Sequence, residues 1–309
     1  MNNTVSTVYK RELKLQFSSL AGWLFLALNI AAIGICAVWL CLKNGNPSYQ
    51  YVPETSSILL CFTLPLLYAM TVGAEWKRGE TAILLKFVSP LSFTVGKFLA
   101  TLTLFAVPAV ICAVLPPVMM VFGALDLTIS YMGIITYITV GAALIALNFF
   151  IASLIKHPVV GGVVSVAVSL LLNVVSNVAK IVGRDQSFPF VFAVILLIAA
   201  VTAIMFVYLN NVIVPTAFAV ITSVGVLAVT LTGNAATVFR PLLTALTPQY
   251  AFYENIYGTF SVRGIVQPIL FIAVFLVFTV LNHANHNKYL ALTVEKNGKE
   301  GARKGANKI

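Results

Sequence analysis

A dense cluster of charged side chains in this 309-residue sequence lies between two long apolar runs, in the stretch from Glu75 to Leu91. Acidic and basic residues open the stretch, five large apolar residues follow, and Pro90 ends it. A short amphipathic helix that presents charge and exposed apolar side chains together is typical of a protein-docking element. The alternative is a re-entrant or interfacial helix held by lipid.

No catalytic pattern accompanies this stretch. The sequence contains no G-x-x-x-x-G-K-[ST] phosphate loop, no H-E-x-x-H and no G-x-S-x-G. The four cysteines lie inside apolar runs without metal-ligand spacing. His283 and His286 have no third ligand nearby, and we interpret them as solvated. We predict that the chain is not an enzyme and has no catalytic, cofactor-binding or metal-binding residues of its own.

The composition indicates a membrane protein, because 60% of the residues are hydrophobic and only 9% are charged. A soluble domain typically has about 25% charged residues. A net charge of +10 would suggest nucleic acid in a soluble protein. Here the basic residues flank apolar runs, as expected of orientation signals, so we expect no nucleic-acid partner.

Runs of about 20 apolar residues predict membrane-spanning helices. We predict an all-α polytopic membrane protein with a transmembrane domain over 21–282 and about eight spans. The predicted spans are 21–42, 57–74, 93–122, 131–155, 159–181, 190–209, 212–232 and 265–281. Three prolines in the third span predict a kink or break.

The basic residues also predict the topology. With the N-terminus inside, most of the 19 lysines and arginines fall on the cytoplasmic side, and so do both termini. The nine acidic residues lie at or beyond the ends of the spans. A carrier driven by protons or sodium usually keeps a carboxylate within the membrane, so the energy source is expected on another polypeptide.

Three further segments flank the spans. The pattern of residues 1–20 predicts an amphipathic helix on the cytoplasmic leaflet, and the alternative is a disordered tail. The interfacial residues of the predicted helix are Tyr9, Lys10, Arg11 and Glu12. Residues 233–264 are rich in aromatic side chains and predict short helices along the outer surface. Residues 283–309 form a basic cytoplasmic tail whose composition is typical of mobile chain.

A series of short motifs occurs along the chain in a fixed order: Tyr9–Lys14, Ala74-Glu75, Gly79, Thr81, Leu84-Leu85, Ser89-Pro90, Val95–Ala100, Ala152–His157, Leu246–Pro248, Phe252 and Tyr257–Phe260. In the order and spacing of these motifs the sequence resembles the membrane subunit of ABC transporters of the type-2 exporter class, in its gliding-motility-like branch. The family's second carboxylate before the basic pair is replaced by Trp76, and Ala82 stands where many relatives have an acidic residue. The hairpin over 190–232 resembles a longer subset of the family, and we assign it no role.

The resemblance implies a six-span core, enlarged here by that hairpin, in the bacterial cytoplasmic (inner) membrane. It implies two separate ATPase subunits that bind ATP and Mg, a second permease copy or a related permease, and the option of a further membrane or extracytoplasmic subunit. The cytoplasmic coupling segment is then 75–91. The implied ATPase-coupling residues are Glu75, Lys77, Arg78, Gly79, Thr81, Leu84, Leu85 and Pro90.

The substrate is not readable from the spans. Asn148, Asn173 and Asn177 are candidate pathway-lining residues, although such side chains more often bond to neighbouring helices. The leading hypothesis is the permease subunit of an ATP-driven exporter. The alternatives are an accessory or assembly protein, a secondary transporter, and an intramembrane enzyme that lacks any visible acid-base or nucleophile cluster.

Overall fold

A computed structural model describes residues 2–43, 49–123, 125–181, 187–209, 212–231, 235–256 and 261–306 of the chain. Within these ranges the backbone is predominantly helical and contains no strand. The helices are α1 (Asn2–Ser18), α2 (Leu20–Ala37), α3 (Tyr51–Tyr68), α4 (Ala74–Arg78), α5 (Glu80–Phe87), α6 (Pro90–Met119), α7 (Leu127–Leu154), α8 (Pro158–Ile181), α9 (Ser187–Leu209), α10 (Ile213–Leu231), α11 (Ala235–Leu246), α12 (Tyr250–Ile256) and α13 (Val262–Ala306). Short π-helical stretches, Val38–Leu42 and Ala69–Gly73, extend α2 and join α3 to α4.

Seven helices among the described residues are long and apolar enough to cross a membrane. They occupy Leu20–Leu42, Tyr51–Arg78, Pro90–Met119, Leu127–Leu154, Pro158–Ala179, Ile213–Leu231 and Val262–Asn285. The remaining predicted span lies on α9, whose described apolar part, Val191–Ala203, is shorter. The prediction of an all-α polytopic membrane protein is therefore confirmed. The turn predicted at Asn210 and Asn211 lies outside the described residues.

The core forms around α7, which packs against α3, α6, α8, α12 and α13. Small residues on α7 let its neighbours approach closely, as membrane-embedded helices require. A Cβ atom on Gly141 would lie within 2.5 Å of the Phe105 ring on α6. The predicted break in α6 does not occur, since that helix runs without interruption through Pro108, Pro116 and Pro117. Packing against neighbouring helices compensates for the amide hydrogen bonds that prolines remove.

Two predicted peripheral segments are packed more deeply than expected. In α12, Ala251 and Phe252 are completely buried, so this part of 233–264 packs into the helix bundle, and its position along the outer surface stays a prediction. Its polar side chains find partners inside the bundle: Asn255 donates to Thr136 Oγ1 at 2.7 Å. The tail predicted from residue 283 onward instead continues α13 to Ala306. Asn282 holds this helix to α7 by donating to the Ser153 carbonyl at 2.8 Å.

Candidate functional site

Three charged side chains from distant parts of the chain meet inside the protein. Lys97 Nζ, on α6, lies 3.2 Å from Glu12 Oε2 on α1 and also forms an ion pair with Glu75 Oε2 on α4. The three side chains are at most 3% exposed. We call these three residues the anchor cluster. A buried charge without its partner is strongly unfavourable, so the cluster holds α1, α4 and α6 together.

The surroundings of the anchor cluster complete its charge balance and hydrogen bonding. Arg11 reaches Glu12 Oε1 at 3.1 Å from the more exposed side, so that two cations face two carboxylates. One turn further along α1, Gln16 donates to Thr101 Oγ1 at 2.9 Å. Thr101 in turn donates to the carbonyl of Lys97 at 3.2 Å. The contact between α1 and α6 is therefore polar and specific as well as apolar.

Burial raises the pKa of Glu12 above its ordinary value of 4.5, and the Lys97 ammonium opposes this effect. The neighbouring Glu75 carboxylate raises the pKa of Glu12 as well. Because the effects that raise its pKa outweigh those that lower it, Glu12 takes up a proton more readily than a solvated glutamate does.

A glycine explains how α1 comes close enough to reach Lys97. A Cβ atom on Gly96 would lie 2.8 Å from Val8 Cγ1 and 3.3 Å from the Tyr9 nitrogen. Only a residue without a side chain allows this approach, and Val8 is one helical turn before Glu12. The amphipathic helix predicted for 1–20 is present, and Val8, Glu12 and Gln16 form the face buried against α6.

The interfacial residues predicted on α1 thus divide between two environments. Lys10 and Arg11 are exposed, as the interfacial interpretation requires. Tyr9 is half-buried, and its hydroxyl lies 3.1 Å from Thr103 Oγ1 on α6. Glu12 was predicted to belong to a helix lying on the leaflet, but it is buried in protein. A sequence pattern cannot distinguish an apolar face that meets lipid from one that meets another helix.

Directly beside the anchor cluster the chain forms two short helices, α4 and α5, which we call the arm (Ala74–Phe87). Gly79 joins them with a φ of 75°, a left-handed conformation that ends α4 and that glycine adopts without strain. Glu80 holds the joint from the outside, with Arg78 at 2.9 Å and Arg11 at 3.5 Å. The arm is thereby bonded to α1 at its surface as well as at the buried cluster.

The second helix of the arm has one buried and one exposed face. Thr81 and Leu85 are fully buried, whereas Ile83 and Phe87 expose 59% and 82% of their surface. These two exposed residues are one helical turn apart on α5 and form a single apolar patch. The side chains of Lys77 and Lys86 are also exposed on the arm. Pro90 follows as the first residue of α6, and Ser89 caps that helix by accepting from the Ser92 amide.

Leu85, which the resemblance places among the ATPase-coupling residues, is 1% exposed and belongs to the core, so its side chain does not lie on the exposed face of α5. Leu84 is only half-exposed and also packs against that core. The exposed face of α5 is instead formed by Ile83 and Phe87, which were not among the predicted coupling residues. Because nearly every residue from Ile83 to Val88 is apolar, periodicity alone does not set the phase of this eight-residue helix.

His283, predicted to be solvated, is completely buried next to the arm. Its Nδ1 lies 3.1 Å from Thr94 Oγ1 on α6. Its ring packs against Trp76 of the arm, Phe93 of α6 and Phe149 of α7, with centroid distances of 6.2, 5.2 and 5.9 Å. α13 therefore joins the same assembly of helices. The side chain of His286 lies outside the described residues.

The three predicted pathway asparagines form hydrogen bonds within and between α7 and α8. Asn148 is completely buried and donates to the Leu144 carbonyl at 2.8 Å and to Ser169 Oγ at 3.4 Å, which bridges α7 and α8. Asn177 donates to Asn173 at 3.0 Å along the half-buried side of α8. Asn148 fits the helix-bridging alternative, and a pathway role for the three stays a prediction.

Among the described side chains, no three of the His, Cys, Asp and Glu residues come together as a metal site. No protein-family model matches the sequence. No curated protein matches it significantly. The candidate site is therefore defined by its geometry: a buried ionic anchor that fixes the base of an arm with an exposed apolar tip.

Proposed function

We propose that this chain is the membrane-spanning permease subunit of an ATP-driven ABC exporter. Separate ATPase subunits dock on the arm, and the helices that the arm contacts form the substrate pathway. The resemblance of the sequence to type-2 exporters supports the family. The geometry of the arm supports the docking role, since a short helix with an exposed apolar patch and basic neighbours suits a groove on a partner protein.

The observation that carries the proposal is the contrast between the two faces of α5. Its exposed residues, Ile83 and Phe87, contribute nothing to the core of the chain, whereas Leu85 and Thr81 fix the helix firmly. Large apolar side chains that are exposed beside charged ones suit a binding surface. Lys77 and Lys86 are available to pair with carboxylates at the rim of the partner's groove.

The proposal places both termini and the arm in the cytoplasm and the chain in a bacterial inner membrane. Two ATPase subunits hold ATP and Mg, and a second permease, identical or related, completes the transporter. No catalytic residue is required on this chain. In this arrangement, a displacement of α5 by the closing ATPases passes through Glu75 and Lys97 to α6 and through Glu12 to α1.

Co-purification tests the docking role. Wild-type chain extracted from its native membrane should bring down an ATPase with a phosphate-loop motif. Phe87→Asp places a charge at the apolar tip and should abolish this association, and Ile83→Asp should weaken it strongly. Phe122→Asp is the matched control, because Phe122 is also exposed (69%) but lies beyond the other end of α6.

Two results would contradict the proposal. One is recovery of the wild-type chain from its native membrane without any ATPase. The other is retention of the ATPase by Phe87→Asp at the wild-type level. Folding of each variant is checked by its elution from gel filtration in detergent, so that loss of the partner is not confused with loss of the fold.

A second candidate, a secondary transporter, gains support from the two buried carboxylates of the anchor cluster. Such groups carry protons in many membrane carriers. Both carboxylates lie at one end of the bundle, and each is already paired with Lys97. Reconstitution of the purified chain alone separates the candidates: proton-driven solute uptake without an ATPase would favour the carrier, and its absence favours the permease.

A further inference from the structure

A cavity of about 380 Å³ lies between α7, α8, α9, α11 and α13, away from the arm. Its deep wall is formed by Leu147 and Ile151 of α7 and by Leu171 and Leu172 of α8, all of which are buried. Phe271 and Phe275 of α13 form another side. Every described side chain that lines the cavity is apolar.

This lining restricts what can fill the cavity. None of the described lining side chains supplies a hydrogen bond or a charge, so water and polar solutes would lose their own hydrogen bonds against this lining. Water enters a cavity readily only where it finds two to four polar partners. The size lies within the range of about 300–1,000 Å³ typical of small-molecule sites. The cavity therefore suits a hydrocarbon.

The cavity is open on one side. Val201 on α9 and Leu246 at the end of α11 line it and expose 37% and 40% of their surface, whereas the deep wall is closed. In a membrane-spanning bundle an apolar opening of this kind meets lipid chains. A free fatty acid would bring a carboxylate for which the lining offers no partner, but a phospholipid keeps its headgroup at the bilayer surface.

From these features we propose that the cavity binds one acyl chain of a bilayer phospholipid. The chain enters between α9 and the end of α11 and packs against α7 and α8. The bound chain fills the space that separates α9 from the core, and so fixes the position of the α9–α10 hairpin. This inference does not depend on the proposed transport function.

Photolabelling tests it directly. The purified chain is reconstituted in phosphatidylcholine vesicles that contain a trace of phosphatidylcholine with a diazirine at the middle of one acyl chain. After illumination, mass spectrometry of peptides should locate label on Ile151, Leu172 and Leu197, well above the level on the exposed α10 residues Val220 and Ile221. The α10 residues report ordinary contact with the bilayer.

Filling the cavity should displace the lipid chain. Ala200→Trp places a large ring among the lining residues and should lower labelling of the cavity by about tenfold or more. Ala203→Trp is the matched control on the same helix, because Ala203 is exposed and does not line the cavity, and it should leave labelling unchanged. Met205→Trp fills the same cavity and serves as a second variant if Ala200→Trp does not fold.

Several outcomes would overturn the inference. Equal labelling of the cavity and of α10 is one, and labelling that neither tryptophan variant reduces is another. Preferential labelling by a free diazirine fatty acid would show that the occupant is not a phospholipid. A cross-link between two copies through cysteine at Val201 would show that a second chain covers the opening.

Discussion

The two ends of α6 are constructed in opposite ways. Near its start, Thr94, Lys97 and Thr101 are polar and buried. Just past its other end, Val121 and Phe122 are apolar and expose 82% and 69% of their surface. Polar atoms at the first end bind other helices, whereas the two apolar side chains just past the second end are largely exposed. Phe87 and Phe122 are both exposed phenylalanines, but they differ in what supports them. Phe87 belongs to the arm, which buried ion pairs hold in place, whereas Phe122 lies just past the end of α6.

The largest effect should follow removal of the central cation. Lys97→Met leaves Glu12 and Glu75 buried without their shared partner, which typically costs about 3–5 kcal/mol. We expect a large fall in the unfolding temperature in detergent. The triple variant Glu12→Gln, Glu75→Gln, Lys97→Met removes all three charges and should recover most of the loss. A Lys97→Met protein as stable as wild type would contradict the buried ion pairs.

The next largest effect on stability should distinguish the two faces of α5. Leu85→Ala removes a buried side chain and should destabilise the protein by about 2–5 kcal/mol. Ile83→Ala, on the exposed face, should change the stability by about 0.5 kcal/mol or less. Denaturant unfolding of the two variants measures the difference. Equal losses would mean that α5 has no free face.

Two glycines test the close approach of α1 to α6. Gly96→Ala forces the new Cβ atom against Val8 and should cost about 1–3 kcal/mol, because the helices must move apart. Gly34→Ala is the matched control, since a Cβ atom there meets nothing within 4 Å. That variant should stabilise its helix by about 0.5–1 kcal/mol. Limited proteolysis of α1 reads out the separation, and equal cleavage of both variants would argue against it.

The smallest effect concerns pH. Burial raises the pKa of Glu12, so the folded protein holds this proton more tightly than the unfolded chain. The stability that this carboxyl contributes is fully present below its ordinary pKa of 4.5 and is lost as the pH rises through the raised value. The stability of wild type relative to Glu12→Gln should therefore increase as the pH falls from 7 toward 4.5. A difference that stays constant or shrinks would show that Lys97 outweighs burial.

Much of the fold follows from the sequence because its signals are local. Runs of apolar residues identify seven helices long enough to cross a membrane, with each predicted bound within about six residues of the observed one, and the N-terminal amphipathic pattern identifies α1. Gly79 and Pro90 mark the joints of the arm for conformational reasons that each residue carries by itself.

The candidate site was predictable only in part. Glu75 and the arm stand out as a charged stretch, but the partnership of Glu12 with Lys97 joins residues far apart in sequence. Nothing in their local surroundings indicates it. His283 was misinterpreted for the same reason, since its partners Thr94 and Trp76 come from other helices. The exposed face of α5 depends on which of its side chains α4 and α13 leave uncovered, and this depends on packing.

ATPase docking on the arm is tested most directly by determining on which side of the membrane Phe87 lies and whether a partner covers it. Phe87→Cys is placed in a chain whose four native cysteines are replaced by alanine, and a membrane-impermeant maleimide is added. If the ATPase docks on a cytoplasmic arm, Phe87→Cys should react in inverted vesicles stripped of peripheral proteins, be protected when the ATPase is bound, and not react in intact cells. Phe122→Cys should react from the opposite side. Reaction of Phe87→Cys from outside intact cells would contradict docking on a cytoplasmic arm.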